Sequence, residues 1–315
     1  MVKVYNSDVE TNELKISKDF KKGSWINMVN PTDDEIKKVC KEVKIEEEFI
    51  RYSLDYEEKA RIDSEEGEVT LFIVDVPIIE KDKKSEIYTT MPLGMIVVRD
   101  DFFITVSLKK SIVIDAFEKK RIKAFSSYKK SRFIFQIMLT NATYYLSYLK
   151  QINKETQIAE STLQNSMKNK ELLKLLDLEK SLVYFTTSLK SNEIVMEKTL
   201  RGKIIKLYDE DEDILEDAIV ENKQAMEMST IYSDILNGTM DAYASIISNN
   251  LNGVMKLLTS ITIILAIPTL ISSLWGMNVP VPLQDHPYGF IILLLICLVV
   301  TIITILILKK RDLLN

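Results

Sequence analysis

The side chains best suited to chemistry in this sequence are neutral, oxygen-bearing groups in an uncharged stretch near the C-terminus. On a helix with about 100° per residue, small and polar residues fall within one arc of about 120°, namely Asn252, Met255, Thr259, Thr262, Ala266, Thr269, Ser273 and Gly276. The whole sequence contains no recognisable pairing of a nucleophile with a base and no glycine-rich phosphate loop. Because catalysis needs such groups, the sequence predicts that the protein is not an enzyme.

The polar arc lies in the first of two uncharged stretches, 257–284 and 287–308, which follow a highly charged region. Segments 257–275 and 288–308 are each about 20 residues long, which at about 1.5 Å per residue spans a hydrocarbon core of about 30 Å. A hairpin buried in a soluble core is the alternative, but two such lengths joined by one polar turn favour two transmembrane helices. The first residues contain no apolar run, so the sequence predicts no signal peptide.

A small polar face should not point at lipid, so the polar arc either packs against another helix or lines water. Both possibilities remain open from the residues alone. One stripe on one helix cannot enclose a pore, so a pore would require several copies of the chain.

The distribution of charge predicts orientation and partners. Lys256 precedes the first apolar segment and a basic tail, 309–311, follows the second, whereas the connecting loop has only Asp285. The positive-inside rule therefore predicts a multi-pass protein of the cytoplasmic membrane with both termini in the cytoplasm. The whole chain has a net charge of −5, and without the three basic and two acidic residues after position 256 the charge is −6. This balance disfavours nucleic acid and is tolerant of cations.

Histidine and cysteine exclude several kinds of site. His286 is the single histidine, which argues against a histidine-based zinc site or catalytic triad. Cys40 and Cys297 lie in different segments, so the sequence predicts no disulfide framework and fits a reducing compartment.

The N-terminal part mixes strand and helix patterns. Segments rich in β-branched and aromatic residues predict strands of one sheet at 3–5, 24–30, 69–79 and 93–107. A helix is predicted to start near Pro31, with Thr32 as its N-cap and residues 33–35 as an acidic first turn. Together these patterns predict an α/β cytosolic domain.

The middle of the chain has few helix breakers, since no proline occurs between Pro92 and Pro268. This favours long helices over about 127–166, 168–203 and 213–275. The third would be about 90 Å long at about 1.5 Å per residue, which predicts a stalk. Such helices must pack on each other or on copies of the chain.

The tripeptide Gly276–Met277–Asn278, placed between the two apolar segments and after the stalk, resembles the signature of the CorA family of divalent-cation channels. The resemblance covers essentially the whole chain and includes "SWINMVNPT", "NGVMKLLT", "PTLISSLWGMN" and the tail "KKRDLL". It implies a homopentamer in the lipid bilayer that carries Mg²⁺, with Co²⁺ and Ni²⁺ as further substrates, and that uses no organic cofactor.

The resemblance also implies roles for individual residues. Gly276, Met277 and Asn278 would form the selectivity filter at the outer mouth, where the Asn278 amides bind hydrated Mg²⁺ through its water shell because this ion dehydrates reluctantly. Met255 and Leu258 would form an apolar gate. The implied pore lining consists of Asn252, Met255, Leu258, Thr262, Ala266, Thr269 and Ser273.

A regulatory Mg²⁺ site is implied at the start of the stalk. Asp217 falls where the family binds regulatory Mg²⁺ between neighbouring subunits. The family's partner position holds Tyr52 here, and Asp55 or Glu57 is expected to substitute for the missing acid. The other acids of 208–217, including Asp211, are predicted to be solvated.

The predicted fold is therefore an α+β/α membrane protein, with an N-terminal α/β cytosolic domain, a long helical stalk and two C-terminal transmembrane helices, assembled as a homopentamer. The predicted bounds are 1–125 for the cytosolic domain, 126–256 for the long helices and stalk, 257–275 and 288–308 for the transmembrane helices, 276–287 for the outer loop and 309–315 for the tail.

Two other interpretations stay open. One is the zinc-transporting ZntB branch of the same superfamily, and the other is a membrane-tethered helical scaffold or sensor. The intact Gly-Met-Asn tripeptide favours magnesium, whereas Asp285 and His286 of the loop fit neither branch decisively.

Overall fold

The structure is a computed structural model of the 315-residue chain. It describes residues 1–7, 14–17, 19–65, 68–81, 86–99, 101–123, 125–166, 169–202, 204–206 and 208–313. The chain divides into two compact units, Met1–Gly238 and Thr239–Asn315.

The strands that the structure describes all belong to the first unit. Their bounds are β1 Val2–Ser7, β2 Leu14–Ser17, β3 Trp25–Val29, β4 Arg61–Glu65, β5 Val69–Lys81, β6 Glu86–Val98 and β7 Phe102–Ser107. They form one sheet in the order β2-β1-β3-β7-β6-β5-β4. Only β3 and β7 pair in parallel, and the other neighbours are antiparallel. The predicted single sheet is confirmed, but the segment predicted at 93–107 is divided between β6, which already begins at Glu86, and β7. Strands β2 and β4 are edge strands that the sequence patterns did not predict.

The helices lie on both faces of this sheet and continue into the second unit. Their bounds are α1 Asp33–Val43, α2 Glu47–Tyr52, α3 Ile112–Glu118, α4 Lys130–Ser166, α5 Asn169–Gly202, α6 Asp209–Trp275 and α7 Gly289–Lys310. One face of the sheet packs on α1 and α2, and the other packs on α3, α4, α5 and the first turns of α6.

The start of α1 follows the sequence prediction. The Thr32 hydroxyl accepts a hydrogen bond from the Glu35 backbone N–H at 3.3 Å, and the Glu35 carboxylate accepts one from the Thr32 N–H at 3.0 Å. This reciprocal capping box satisfies two N–H groups that a helix start otherwise leaves unpaired.

The three long helices are also confirmed. Helices α4 and α5 lie within three residues of their predicted bounds, and α6 runs without interruption over 67 residues. It begins four residues before the predicted position 213, because the carbonyl oxygen of Tyr208 accepts hydrogen bonds from the N–H groups of Asp211 and Glu212 and so starts the helix.

Polar side chains join α4 and α5 to the free edge of β5. Strand β4 pairs only with residues 69–73 of β5, so Asp75 lies beyond its end. The Asn192 amide of α5 takes the place of a strand there, since it accepts from the Asp75 N–H and donates to the Asp75 carbonyl, both at 2.8 Å. Asn141 and Tyr145 of α4 donate to the same carbonyl oxygen, at 2.8 Å and 3.2 Å.

The Asp75 carboxylate is largely buried in this network. Desolvation by burial raises its pKa from 3.8 to about 6, and a hydrogen bond from Ser188 opposes that rise. Among the described residues no lysine or arginine forms an ion pair with it. Asp75 is therefore an uncompensated ionisable group between the sheet and the long helices.

The second unit contains the end of α6 and all of α7. By length and composition, both helices are long and apolar enough to cross a membrane. Most of their side chains are exposed in the single chain, as expected of helices whose surroundings are lipid or other subunits.

Candidate functional site

Helix α6 faces α7 with one side of its apolar segment. The Ser260 hydroxyl donates to the carbonyl of Leu313, just past the end of α7, at 2.7 Å. At the other end of this side, the Trp275 ring lies beside Gly289, the first residue of α7. Between these two points the half-buried side chains recur at helical spacing, namely Ile264, Ile267, Pro268 and Ile271.

The polar arc predicted from the sequence, which forms a polar stripe along the helix, lies on the opposite side of α6. At about 100° per residue its centre is about 180° away from the side that Ser260 and Trp275 define. All seven predicted pore-lining residues are exposed in the single chain, namely Asn252, Met255, Leu258, Thr262, Ala266, Thr269 and Ser273. The stripe therefore faces away from α7 and is exposed in the single chain.

Two hydroxyl groups of the stripe present oxygen atoms that can accept hydrogen bonds from a ligand. Thr262 and Thr269 each donate to a backbone carbonyl one turn earlier, those of Leu258 and Leu265, at 2.8 Å. Their hydrogens are thereby used within the helix, so the exposed oxygen atoms remain as acceptors. Such a surface suits cations or their hydrating waters.

The tripeptide Gly276–Met277–Asn278 follows α6 directly and is exposed. The Gly276 N–H donates to the Ser272 carbonyl at 3.0 Å, and a Cβ at Gly276 would lie 3.3 Å from that oxygen, a tight contact. Within the described residues, the Asn278 side chain has no hydrogen-bond partner. Its amide oxygen is therefore available to a ligand at the end of the stripe.

The shape of the loop between α6 and α7 depends on residues that the sequence interpretation did not single out. A Cβ at Gly289 would lie only 2.4 Å from the Leu283 carbonyl oxygen, so no other residue fits without a shift. Leu283 itself has φ +69°, in the left-handed region. The Trp275 indole N–H donates to the Pro282 carbonyl at 3.0 Å and joins the loop to the end of α6. A glycine at the start of the second apolar segment was the available signal.

The candidate regulatory residues are all exposed, but one chain does not assemble them. Asp55 and Glu57 share a turn, in which the Asp55 carboxylate accepts from the Glu57 N–H at 3.0 Å. Asp217 is exposed on α6. Among the described residues no three histidine, cysteine or acidic side chains are grouped to hold a metal. A site that uses Asp217 and at least two further acidic, histidine or cysteine side chains would therefore need donors from a second chain.

Tyr52, at the position where the resemblance implied an acid, has its own partner. The guanidinium of Arg61 lies 4.6 Å from the centre of the Tyr52 ring, in a cation–π arrangement. Arg61 also pairs with Glu58 and Asp63, at 3.1 Å and 2.8 Å. A protein cation thus lies beside this position, next to the turn of Asp55 and Glu57.

The prediction that Asp211 is solvated is wrong. Asp211 is 4% exposed, and its carboxylate accepts from the Arg132 Nε at 2.6 Å. Arg132 also pairs with the exposed Glu210 at 2.9 Å. The pair joins the first turn of α4 to the first turn of α6, so Asp211 has a structural role and cannot serve as a solvated reference for Asp217.

Comparison with known proteins shows to which family this chain belongs. A family model described as "CorA-like Mg2+ transporter protein" matches residues 20–310. The chain belongs to the CorA family. The cobalt/magnesium transport protein CorA of Methanocaldococcus jannaschii is 29% identical over 296 residues, which cover 91% of this chain and 90% of that protein. The magnesium transport protein CorA of Helicobacter pylori is 22% identical over 313 residues, covering 96% and 92%.

Solved structures agree with CorA family membership. The complete structure of the CorA magnesium transporter from Methanocaldococcus jannaschii matches with a TM-score of 0.82 at 25% identity, over 98% of this chain and 96% of that one. The ZntB cytoplasmic domain from Vibrio parahaemolyticus matches with a TM-score of 0.59 at 10% identity, over 79% of this chain and 97% of that one. The second likeness concerns the fold alone, so the CorA interpretation is favoured over the ZntB alternative.

Proposed function

We propose that this chain is the subunit of a channel that moves Mg²⁺, and also Co²⁺, across the cytoplasmic membrane. Ni²⁺ is a further candidate substrate. The proposal is supported by membership of the CorA family and by the names of the relatives. The observation that carries it is the exposed polar stripe of α6, which lies opposite α7 and ends at the free amide of Asn278.

The stripe argues for assembly around an axis. Polar oxygens facing lipid are unfavourable, and one helix cannot enclose water. Several copies of α6 around a common axis would cover every stripe at once and leave each α7 towards lipid. We infer a homopentamer with both termini in the cytoplasm, and native mass spectrometry in mild detergent measures this. A monomer or dimer as the transporting species would contradict it.

In such a ring the residues of α6 have distinct tasks. Amide oxygens of Asn278 would meet the ion with its water shell intact, because Mg²⁺ gives up its waters reluctantly. Hydroxyl oxygens of Thr269 and Thr262 would then accept hydrogen bonds from those waters. Met255 and Leu258, both more than half exposed in the single chain, would form an apolar ring that blocks flow when it loses water. Asn252 would face the cytoplasmic end.

Ion flux into proteoliposomes tests the function. With the wild type we expect uptake of Mg²⁺ and Co²⁺, and Asn278→Ala should reduce Mg²⁺ uptake at least about tenfold through loss of the amide oxygens. Gln284→Ala is the matched control, since it removes another exposed amide of the same loop. Wild-type flux in Asn278→Ala would contradict the assignment of Asn278 to the selectivity filter. Transport of Zn²⁺ alone would favour the ZntB alternative. If no ion is transported, the result would favour a membrane-tethered scaffold.

We further propose that intracellular Mg²⁺ closes the channel through Asp217 and the turn of Asp55 and Glu57 from a neighbouring subunit. Carboxylates are the oxygen ligands that Mg²⁺ prefers, and the cytosolic part carries a net charge of −6 once the three basic and two acidic residues after position 256 are removed. Cations between subunits would offset this repulsion. The ion shifts the equilibrium only by its higher affinity for the closed form.

Protease protection of the cytosolic unit, titrated with Mg²⁺, tests the regulatory site. Asp217→Lys supplies a fixed cation and should weaken the response to Mg²⁺. Glu212→Lys is the matched control, because Glu212 is also exposed but lies about 140° around α6 from Asp217. Equal midpoints for Asp217→Lys and the wild type would place the sensor elsewhere.

A further inference from the structure

A cluster of four basic residues lies where α7 ends beside α6. Lys309 and Lys310 are the last residues of α7, Arg311 is its C-cap, and all three are exposed. The hydrogen bond from Ser260 to the Leu313 carbonyl, 2.7 Å long, brings this turn against α6. Lys256 precedes Ser260 by one helical turn on the same side, a spacing of about 5–6 Å between Cβ atoms. We call these residues the basic turn.

The cations of the basic turn are not neutralised by any acidic side chain that the structure describes. Within the part of the chain that the structure describes, none of the four forms an ion pair. Basic residues of the first unit are often paired, as Lys3, Arg51 and Arg132 show. Asp312 is the one acid beside the basic turn in sequence, so a positive excess remains.

The backbone after α7 is ordered by hydrogen bonds. The Arg311 N–H donates to the Ile307 carbonyl at 3.1 Å, the Asp312 N–H to Lys309 at 3.2 Å, and the Leu313 N–H to Leu308 at 3.1 Å. A helix C-terminus attracts cations, and topology needs basic residues on the cytoplasmic side. Neither effect requires a turn that is fixed in place or a hydrogen bond to α6.

We propose that the basic turn binds the headgroup phosphate of anionic phospholipids in the cytoplasmic leaflet. The inference rests on the proposed function only for the orientation of the chain in the membrane. Helix α7 is 22 residues long, about the length that spans the hydrocarbon core, so its end lies at headgroup depth. Arg311 can bind phosphate with two parallel hydrogen bonds, and the three lysines add attraction to a negative surface.

Lipid binding is measured on the purified full-length protein in neutral detergent by native mass spectrometry, with equimolar phosphatidylglycerol and phosphatidylcholine. The wild type should retain phosphatidylglycerol preferentially. Each cation near the surface is worth about fivefold in affinity, so joint substitution of Lys309, Lys310 and Arg311 by Gln should lower retention at least about tenfold. Equal retention by this variant would overturn the proposal.

Two further variants separate a built site from diffuse charge. Ser260→Ala keeps all four cations and removes the hydrogen bond to the Leu313 carbonyl, so retention of phosphatidylglycerol should fall by several-fold. Unchanged retention would refute a role for the hydrogen-bonded backbone turn after α7. Joint substitution of Lys37, Lys38 and Lys41 by Gln removes the same charge from the exposed face of α1 and should change nothing. An equal loss there would show that net charge alone controls lipid retention.

A competition experiment identifies the source of the phosphate. Inorganic phosphate at millimolar concentration should not displace phosphatidylglycerol, because it lacks the acyl chains that hold the headgroup at the membrane. Complete displacement would indicate a site for free phosphate and overturn the lipid assignment. The mass of the intact oligomer shows in the same spectrum that each variant is folded. Lipid retention needs no ion flux, so this inference and the transport proposal fail independently.

Discussion

Replacement of Asp75 by asparagine removes a buried charge and keeps the shape of the side chain. Burial raises the pKa of Asp75 from 3.8 to about 6. Since a change of one in pKa corresponds to about 1.4 kcal/mol, the ionised carboxylate costs the folded state about 3 kcal/mol. Asp75→Asn should therefore stabilise the protein by up to about 3 kcal/mol at neutral pH.

The sign of the pH dependence follows from the raised pKa. Below about pH 4 the carboxyl is protonated in both the folded and the unfolded chain, so Asp75 and asparagine should be about equally stable. Between about pH 4 and 6 the unfolded chain loses the proton while the folded chain keeps it, and this contribution to stability is lost as the pH rises. Above about pH 6 the full cost applies. The advantage of Asp75→Asn should grow across this window and then stay constant.

Thermal unfolding in detergent, followed by tryptophan fluorescence, measures this effect. Trp25 is fully buried in the first unit, next to Phe133, and reports its unfolding. For a unit of this size about 3 kcal/mol corresponds to a rise in Tm of about 6–12 °C at pH 8. Glu42→Gln, at an exposed position of α1, should change stability by less than about 0.5 kcal/mol. A gain for Asp75→Asn that is equal at pH 8 and pH 4.5, or absent at both, would refute the reasoning.

Two more substitutions test contacts described above. Gly289→Ala places a Cβ 2.4 Å from the Leu283 carbonyl oxygen and should abolish most Mg²⁺ flux. Gly238→Ala is the control, because nothing lies within 4 Å of a Cβ at that position. It should leave flux unchanged and raise the free energy of unfolding by up to about 1 kcal/mol. Wild-type flux in Gly289→Ala would show that the loop tolerates another shape. Asp211→Asn removes the charge partner of Arg132 and should lower the free energy of unfolding by about 3 kcal/mol in urea titrations. A change below about 0.5 kcal/mol, the value expected for a surface residue, would show that the pair contributes little.

Local patterns predicted most of the fold. The capping box at Thr32 and the long helices depend on residues close in sequence, so their signals are visible without the structure. Strands β2 and β4 are short and carry polar residues such as Lys15 and Asp63, and they exist because β1 and β5 supply their hydrogen-bond partners. Pairing of this kind depends on residues that the strand itself does not contain.

The candidate site was predictable to a similar extent. The period of the helix identified the polar stripe, but its direction away from α7 depends on where Ser260 and Trp275 meet the ends of that helix. The burial of Asp211 could not be predicted, because its partner Arg132 lies 79 residues earlier in the chain. The sequence shows where the acidic residues are, but it does not show which of them are buried in the fold.

The edge of β5 that the Asn192 amide covers in the folded protein has no such cover while the chain is being made. Residues 75–81 of β5 extend past β4, and an uncovered strand edge can pair with another chain. Asn192 follows Asp75 by 117 residues, so during synthesis this edge emerges long before the side chain that covers it. The N–H of Asp75 points outward, and by the two-residue alternation of a strand the next outward position is Pro77, which has no N–H to offer. That proline limits misassembly in the nascent chain, whereas the asparagine acts only once α5 has docked.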